Sequence, residues 1–250
     1  MSAAAVTKTG KVALITGANK GIGFETARQL GALGITVLVG ARDLKKGEAA
    51  AAELKREGID ARALKLDVVD EGDRKAAAKF IEKKFGRLDI LVNNAGIASE
   101  DMSSNSTLTT SEETLRKIFE TNFFAVVALT KALLPLLRKS AAGRIVNLSS
   151  ILGSLKLHAT PGSPIYGAKM FAYDASKTAL NAYTIHLAHA LKETRIKVNS
   201  AHPGWVKTEL GGEGAPMEIV DGAKTSVRLA TLPDDGPTGG YFHMGDTLPW

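Results

Sequence analysis

The stretch KVALITGANKGIG, residues 11–23, joins a short apolar run to a glycine-rich turn. VALIT (12–16) has the length and composition of a buried strand, and glycines follow it at positions 17, 21 and 23. Glycine lets a backbone approach a pyrophosphate closely, and the N-terminus of the next helix offers free N–H groups and the positive end of the helix dipole. The G-x-x-x-G-x-G spacing differs from the G-x-G-x-x-G of many dinucleotide folds, but the physical requirement is shared. A tight turn that binds nothing is the alternative, and the place of the turn after a first strand favours the phosphate.

Apolar runs and helical stretches alternate along the whole chain. Strands are predicted at 12–16, 35–40, 61–68, 88–93, 143–149 and 196–201, and helices at 21–33, 44–57, 71–85, 111–139 and 173–193. This alternation predicts one doubly wound α/β domain of the Rossmann type over residues 1–250, with a mostly parallel sheet of about seven strands flanked by helices. The seventh strand is expected within residues 237–245. Ligands of such a sheet bind beyond the carboxyl ends of the strands.

Composition narrows the classes of function. The chain is 250 residues long, 44% hydrophobic, without cysteine, and its formal net charge is +6. Disulfides, thiolate catalysis and cysteine metal sites are therefore excluded, and His186 and His189 lack an obvious third ligand, so no metal is expected. The basic residues are scattered among acids, which favours an anionic cofactor over nucleic acid as the binding partner. No signal-like N-terminus and no uncharged span of about 18 residues is evident, so we expect a cytoplasmic protein that does not enter a membrane.

The end of the second strand bears on the choice between NAD and NADP. An acid at this point would bind the ribose 2′-hydroxyl, but Ala41 and then Arg42 stand there, and a guanidinium suits a 2′-phosphate. Lys20 and Lys46 are candidates to add positive charge, whereas Asp43 is expected to cap the next helix. NADP(H) is therefore the favoured cofactor, with NAD(H) the less favoured alternative. 

Two tyrosine–lysine pairs occur within SPIYGAKMFAYDASKTAL, residues 163–180. Tyr166 and Lys169 follow a Pro/Gly-rich run, whereas Tyr173 and Lys177 begin an uninterrupted helical pattern. An ammonium one turn away would favour the phenolate and lower the pKa of Tyr173. An ordinary helix face is the alternative for either pair.

Six motifs together resemble the short-chain dehydrogenase/reductases over residues 11–210: TGANKGIG, LDILVNNAG, TNFF, GRIVNLSS, YDASK and VNSAHPGWVKTEL. ANKGIG, GARD, TNFF, PGWVKT and the final Trp250 are most similar to carbonyl reductases, which reduce ketones and aldehydes with NADPH. The resemblance implies that this chain acts on a small carbonyl or alcohol substrate by hydride transfer. A secondary alcohol dehydrogenase using NAD, an enone reductase and a nucleotide-sensing protein without turnover are the rival hypotheses.

The resemblance also assigns residues. It implies a catalytic set of Tyr173 as acid, Lys177 as its partner on the nicotinamide ribose, Ser150 orienting the carbonyl, and Asn122 holding a proton-relaying water. Asn122 interrupts a helical stretch in which asparagine is a poor helix former, so a local helix irregularity is predicted there. The expected cofactor contacts lie at or after the ends of five strands and on the catalytic helix: Gly17, Asn19, Lys20, Gly21, Ile22, Gly23, Arg42, Lys46, Asp67, Val68, Asn93, Ala95, Gly96, Pro203, Gly204, Val206 and Thr208, with Tyr173 and Lys177. For Asp67 a hydrogen bond to adenine and a turn or cap role remain equal alternatives.

The chain departs from most of the family between Ser150 and Tyr173, which are 23 positions apart. We predict a short insertion at about 154–172 and a mobile substrate lid at about 209–224. The pocket is expected to be lined by Ile151, Leu152, Tyr166, Trp205 and Met217. This set is largely apolar and favours hydrophobic or aromatic ketones. Because carbonyl reductases cover an oligomer face with a longer insertion here, a monomer is favoured and a homo-oligomer is the alternative.

Overall fold

The computed structural model describes residues 9–98 and 106–250, which contain a single eight-stranded sheet in the order β3-β2-β1-β4-β5-β6-β7-β8. The strands are β1 Val12–Thr16, β2 Thr36–Ala41, β3 Ala61–Lys65, β4 Ile90–Asn93, β5 Arg144–Leu148, β6 Lys197–Ala201, β7 Tyr241–His243 and β8 Asp246–Thr247. Neighbours are parallel from β3 to β7, and β8 returns antiparallel to β7. The predicted doubly wound fold is confirmed, with one strand more than expected. The extra strand arises because residues 244–245 close a two-residue hairpin.

The order of the strands reverses at β1, which pairs with β2 on one side and β4 on the other. In register, Ala13 lies beside both Val37 and Ile90. Chain connections leave β1 and β4 in opposite directions, so a crevice opens above their carboxyl ends. The glycine turn after β1 and the segment after β4 meet at this crevice.

Helices cover both faces of the sheet. They are α1 Gly21–Ala32, α2 Leu44–Arg56, α3 Glu71–Phe85, α4 Glu112–Phe119, α5 Ala125–Leu137, α6 Leu155–Ala159, α7 Phe171–Ala190 and α8 Ile219–Ala230. One apolar cluster joins the sheet to α1, α2 and α8 through residues such as Leu30, Leu54 and Leu229. A second joins the other face to α3, α5 and α7. The strands are buried on both faces, which explains their near-continuous apolar runs.

One helical stretch, Glu112–Leu137, is long and apolar enough to cross a membrane by length and composition alone. The stretch carries charged residues, among them Glu120 and Lys131, so it is not the uncharged span whose absence was expected. Leu129, Leu133 and Leu137 of this stretch are buried in the apolar cluster below the sheet. The apolar character of the stretch is that of a core helix packed between α3, α7 and the sheet.

Several boundaries differ from the predicted ones. The third strand ends at Lys65 rather than 68, and α7 begins at Phe171, two residues before Tyr173. Within the predicted insertion, Leu155–Ala159 forms α6 and turns follow it. The second half of the predicted lid is helical, because α8 begins at Ile219.

Candidate active site

The glycine turn is held by the segment after β4. Asn94 donates from Nδ2 to the carbonyl oxygens of Thr16 (2.8 Å) and Gly17 (3.2 Å). A Cβ added at Gly23 would lie 2.4 Å from that Nδ2 and 2.5 Å from the Gly17 oxygen, so only glycine fits there. The N-cap of α1, Lys20, makes no side-chain cap hydrogen bond, so the first-turn N–H groups have no side-chain partner among the described residues. The role of Asn94 in holding the glycine turn was not predicted from the sequence, and the second asparagine of the NNAG motif was the only sequence signal for it.

Arg42 is exposed directly after β2, and its side chain makes no hydrogen bond or ion pair in the described part of the chain. Ala41 is buried, so this position presents no polar group to a ribose. The predicted cap is confirmed, since Asp43 accepts a hydrogen bond from the Lys46 backbone at 3.3 Å. Lys20 forms an ion pair with Glu209 in the segment after β6, and Lys20 and Lys46 together lower the pKa of the Glu209 carboxyl. Lys20, one of the cations expected to meet a phosphate, is therefore paired with an acid of the chain itself in this structure, and Lys46 acts on that acid without a direct contact.

The side chain of Asp67 occupies a turn. Its Oδ1 accepts from the Val69 backbone at 3.2 Å, while its own N–H donates to Asp73 at 2.7 Å. The cap of α3 is Asp70, which accepts from Asp73 N at 2.7 Å. The turn role is thus observed and the cap role is not. The contact of Asp67 with adenine stays a prediction, and so does the cofactor contact of its buried neighbour Val68.

Asn93, expected along the cofactor, is buried in the sheet. Its Nδ2 donates to Asn147 Oδ1 at 2.8 Å and to Thr130 Oγ1 at 3.2 Å. Both contacts lie inside the protein, so this amide joins β4 to β5 and α5. Its Oδ1 is buried without a hydrogen-bond partner among the described residues, and the contact of Asn93 with a cofactor stays a prediction.

Tyr173 and Lys177 lie one turn apart on α7 and are both buried. Lys177 Nζ is 5.5 Å from the centroid of the Tyr173 ring and donates to the Leu148 carbonyl at 2.8 Å, at the end of β5. Ser150 follows β5, and its hydroxyl lies near enough to the Tyr173 phenol to lower the pKa of that group. The strand end and the helix therefore bring the predicted acid, its lysine and the predicted carbonyl-orienting serine together.

The charges of this group differ from the expectation. Burial raises the pKa of the Tyr173 phenol to about 12; the Ser150 hydroxyl acts in the opposite direction and the nearby Asp174 adds to the rise. The predicted lowering of this pKa is wrong for this structure, because desolvation dominates and Lys177 is not among the groups that shift it. Burial also lowers the pKa of the Lys177 ammonium to about 8. Tyr173 thus holds its proton at neutral pH.

Asn122 lies in a π-helical turn, Glu120–Phe124, between α4 and α5, so the predicted helix irregularity is confirmed. Its side chain is 1% exposed. The Oδ1 atom accepts from Ile97 N at 2.9 Å, and Nδ2 donates to Ile97 O at 2.8 Å and to Ser176 Oγ at 3.0 Å. The wider turn lets one amide bind the backbone that follows β4.

Gly96 shows how closely these groups meet. A Cβ built on it would lie 3.4 Å from Asn122 Oδ1 and 3.4 Å from Lys177 Nζ. The segment after β4, the π turn and the catalytic helix therefore converge on one point. All four predicted catalytic residues lie around the carboxyl ends of β4 and β5.

The segment after β6 closes the other side of the crevice. Val206 is buried and forms a bridge with Met217, and the methyl group of Thr208 would lie 3.7 Å from a Cβ on Gly21. Trp205 is 61% exposed, and its indole N–H donates to the Gly211 carbonyl at 2.7 Å. The segment thus lies over the glycine turn, where the predicted Pro203, Gly204, Val206 and Thr208 contacts require it to be.

Tyr166 lies in a turn before α7, as predicted, and is 47% exposed. Lys169 Nζ is 5.2 Å from its ring centroid and 3.0 Å from His158 Nδ1. His158 Nε2 in turn contacts the Leu152 carbonyl at 2.9 Å. The insertion is therefore fastened to the turn Ile151–Gly153 that carries the first two predicted pocket residues.

Comparisons with known proteins agree with this geometry. A family model described as short chain dehydrogenase matches residues 11–218. A short-chain dehydrogenase of Penicillium roqueforti, anuI, is 41% identical over 91% of this chain and 90% of its own. Carbonyl reductase [NADPH] 1 of Mus musculus is 34% identical over 96% and 98%. Among solved structures, the NADPH-bound carbonyl reductase from chicken fatty liver superposes with a TM-score of 0.82 at 25% identity, over 98% of this chain and all of that one.

Proposed function

Because the chain belongs to the short-chain dehydrogenase family, we propose that it reduces ketones or aldehydes to alcohols with NADPH, using Tyr173 as the acid. The observation that carries the proposal is the buried meeting of Tyr173, Lys177 and Ser150 at the sheet crevice. The similar carbonyl reductases of mouse and chicken support the reaction class.

The residues present fit a nicotinamide dinucleotide. The glycine turn leaves the first turn of α1 uncapped by side chains, and the backbone of residues 94–96 lines the same crevice. Arg42 is exposed and unpaired among the described residues, and Lys20 and Lys46 both lower the pKa of the Glu209 carboxyl, Lys20 through a direct ion pair. These cations favour a 2′-phosphate, and hence NADP(H), over the bare ribose of NAD(H).

When bound, NADPH supplies the hydride. The chain must then orient the carbonyl and protonate the oxygen on which negative charge develops. Tyr173 keeps its proton at neutral pH because the pKa of its phenol is raised to about 12. The Ser150 hydroxyl lies near that phenol, so both hydroxyls can hold a carbonyl oxygen. Lys177, whose pKa is about 8, remains mostly protonated at neutral pH and is placed to hold a ribose hydroxyl beside Tyr173. Asn122 fixes Ile97 and Ser176, the neighbour of Lys177.

We assign the substrate wall to the turn after β5, the insertion and the segment after β6. The side chains are Ile151, Leu152, Tyr166, Trp205 and Met217. Leu152 is fastened to His158, and Met217 to Trp205 through the hydrogen bond from Met217 N to the Trp205 carbonyl at 3.1 Å. This wall favours hydrophobic or aromatic ketones.

A panel of ketones and aldehydes tests the proposal directly. The purified chain is mixed with each compound and with NADPH or NADH, and the loss of nicotinamide absorbance is followed. We expect turnover of aromatic ketones with NADPH and slower turnover with NADH. NADPH binding without turnover of any carbonyl compound would instead support a nucleotide-sensing protein. Size-exclusion chromatography with light scattering checks the expected monomer.

A further inference from the structure

His202, the first residue after β6, lies between the two loops that form the active site. Its ring is buried, with 8% of the residue exposed. The Nδ1 atom faces the backbone N–H of Ile151 at 3.2 Å and that of Gly204 at 3.4 Å. The first N–H belongs to the peptide joining Ser150 to the turn after β5, and the second to the predicted cofactor loop after β6.

The tautomer of this ring follows from its contacts. Two N–H groups point at Nδ1, so Nδ1 must accept and the neutral ring carries its proton on Nε2. The His243 ring lies 4.8 Å away, centroid to centroid, and its Nδ1 contacts the His202 carbonyl at 3.0 Å. Burial, together with His243, lowers the pKa of His202 to about 3, so the ring stays neutral near pH 7.

Both N–H groups that meet His202 are at points where the backbone has no regular partner. Ile151 begins the 3₁₀ turn that Ser150 caps, and the first N–H groups of a helical turn lack an acceptor. Gly204 has φ +96°, and a Cβ there would lie 2.6 Å from Met217 Sδ, so this loop is closely packed. One imidazole therefore supplies the acceptor for two loops at once.

We propose that His202 is a positioning residue: its neutral imidazole ties the Ser150–Ile151 peptide to the Pro203–Gly204 peptide and so sets the distance between the carbonyl-orienting hydroxyl and the cofactor loop. This inference rests on the proposed function. It assigns His202 no contact with substrate or cofactor. Replacing a residue with this role should change kcat more than it changes the affinity for substrate or cofactor.

The test compares two substitutions. Asn places its Oδ1 close to the position of His Nδ1 and can accept the same hydrogen bonds, whereas Leu fills similar space without an acceptor. We expect His202→Leu to lower kcat for ketone reduction about tenfold or more, the value of one lost hydrogen bond, with the NADPH dissociation constant changed less than about threefold. His202→Asn should recover most of kcat. His189→Leu, at an exposed histidine on α7, is the matched control and should leave kcat unchanged.

Hydrogen exchange of the Ile151 and Gly204 amide protons, followed by NMR, reports the two hydrogen bonds to His202 Nδ1 without any measurement of activity. Both should be protected in the wild type and in His202→Asn, and should exchange faster in His202→Leu. Unchanged kcat and protection in His202→Leu would overturn the proposal, as would an Asn variant no better than Leu. If His202→Leu does not fold, His202→Gln, whose acceptor lies one methylene further out, takes its place in the comparison with Asn. If the wild type reduces no ketone, the proposed function fails, and the exchange rates alone still decide whether His202 joins the two loops.

Discussion

Replacing Asn122 by Ala removes the amide that binds the backbone after β4. Three hydrogen bonds disappear, two to Ile97 (2.9 and 2.8 Å) and one to Ser176 Oγ (3.0 Å). The Ile97 N–H and C=O then lose their partner at a partly buried site, and each such group costs about 1–3 kcal/mol. We therefore expect the free energy of unfolding to fall by about 2–5 kcal/mol.

Urea denaturation followed by circular dichroism measures this loss. Ser176→Ala is the control: it removes one acceptor of the same amide, together with the Ser176 hydroxyl's own bond to the Tyr173 carbonyl at 2.7 Å. It leaves one buried group of Asn122 unpaired rather than two groups of Ile97, so it should lower stability by about 1–3 kcal/mol and by less than Asn122→Ala. The Asn122→Ala variant should also lose amide protection at Ile97 and in the π turn Glu120–Phe124. A loss below about 1 kcal/mol would refute the reasoning, because it would mean that water replaces the amide at Ile97 without penalty.

Three further predictions concern the cofactor, the pH profile and the last hairpin. Arg42→Ala should weaken NADPH binding by about 1.5–3 kcal/mol and leave NADH nearly unaffected; equal losses measured by fluorescence titration would remove the argument for NADP. The kcat/KM for ketone reduction should fall as pH rises through about 8, where buried Lys177 loses its proton. Between pH about 8 and about 10.5, the usual pKa of lysine, the unfolded chain binds more protons at Lys177 than the folded chain does. The contribution of Lys177 to the free energy of unfolding therefore increases as the pH rises through this range. A fall in activity accompanied by a fall in melting temperature would contradict the assignment to Lys177. Met244→Asn should raise the free energy of unfolding by about 0.5–1 kcal/mol, because Met244 has φ +52° in a two-residue hairpin that favours Asn-Gly; thermal denaturation that shows no gain would argue against strain there.

The sheet and its crevice could be predicted from sequence because their signals are local. Apolar runs such as VALIT mark the parallel strands, and the glycine turn follows the first of them. The hairpin of β7 and β8 could not be predicted, since Met244 adopts a left-handed conformation that methionine rarely takes. The cap of α3 is Asp70 rather than Asp67, because the sequence offers several acids and does not fix where the strand ends.

The residues of the candidate site could be predicted from the sequence, but their pKa values could not. Spacing and family resemblance together selected Tyr173 and Lys177, and the structure brings them together with Ser150 and Asn122. Their pKa values depend on burial, which a sequence does not state, and burial reverses the expected shift of Tyr173. The links made by Asn94 and His202 join segments distant in the chain, so no local pattern reveals them.

Ketone reduction by Tyr173→Phe, compared with Tyr166→Phe, tests most directly whether Tyr173 is the acid. Tyr173→Phe removes one buried hydroxyl and should abolish NADPH-dependent reduction, while the NADPH dissociation constant stays nearly the same. Tyr166→Phe, at the exposed tyrosine of the insertion, should retain turnover. Loss of turnover in Tyr166→Phe with activity kept in Tyr173→Phe would contradict the assignment of the proton donor.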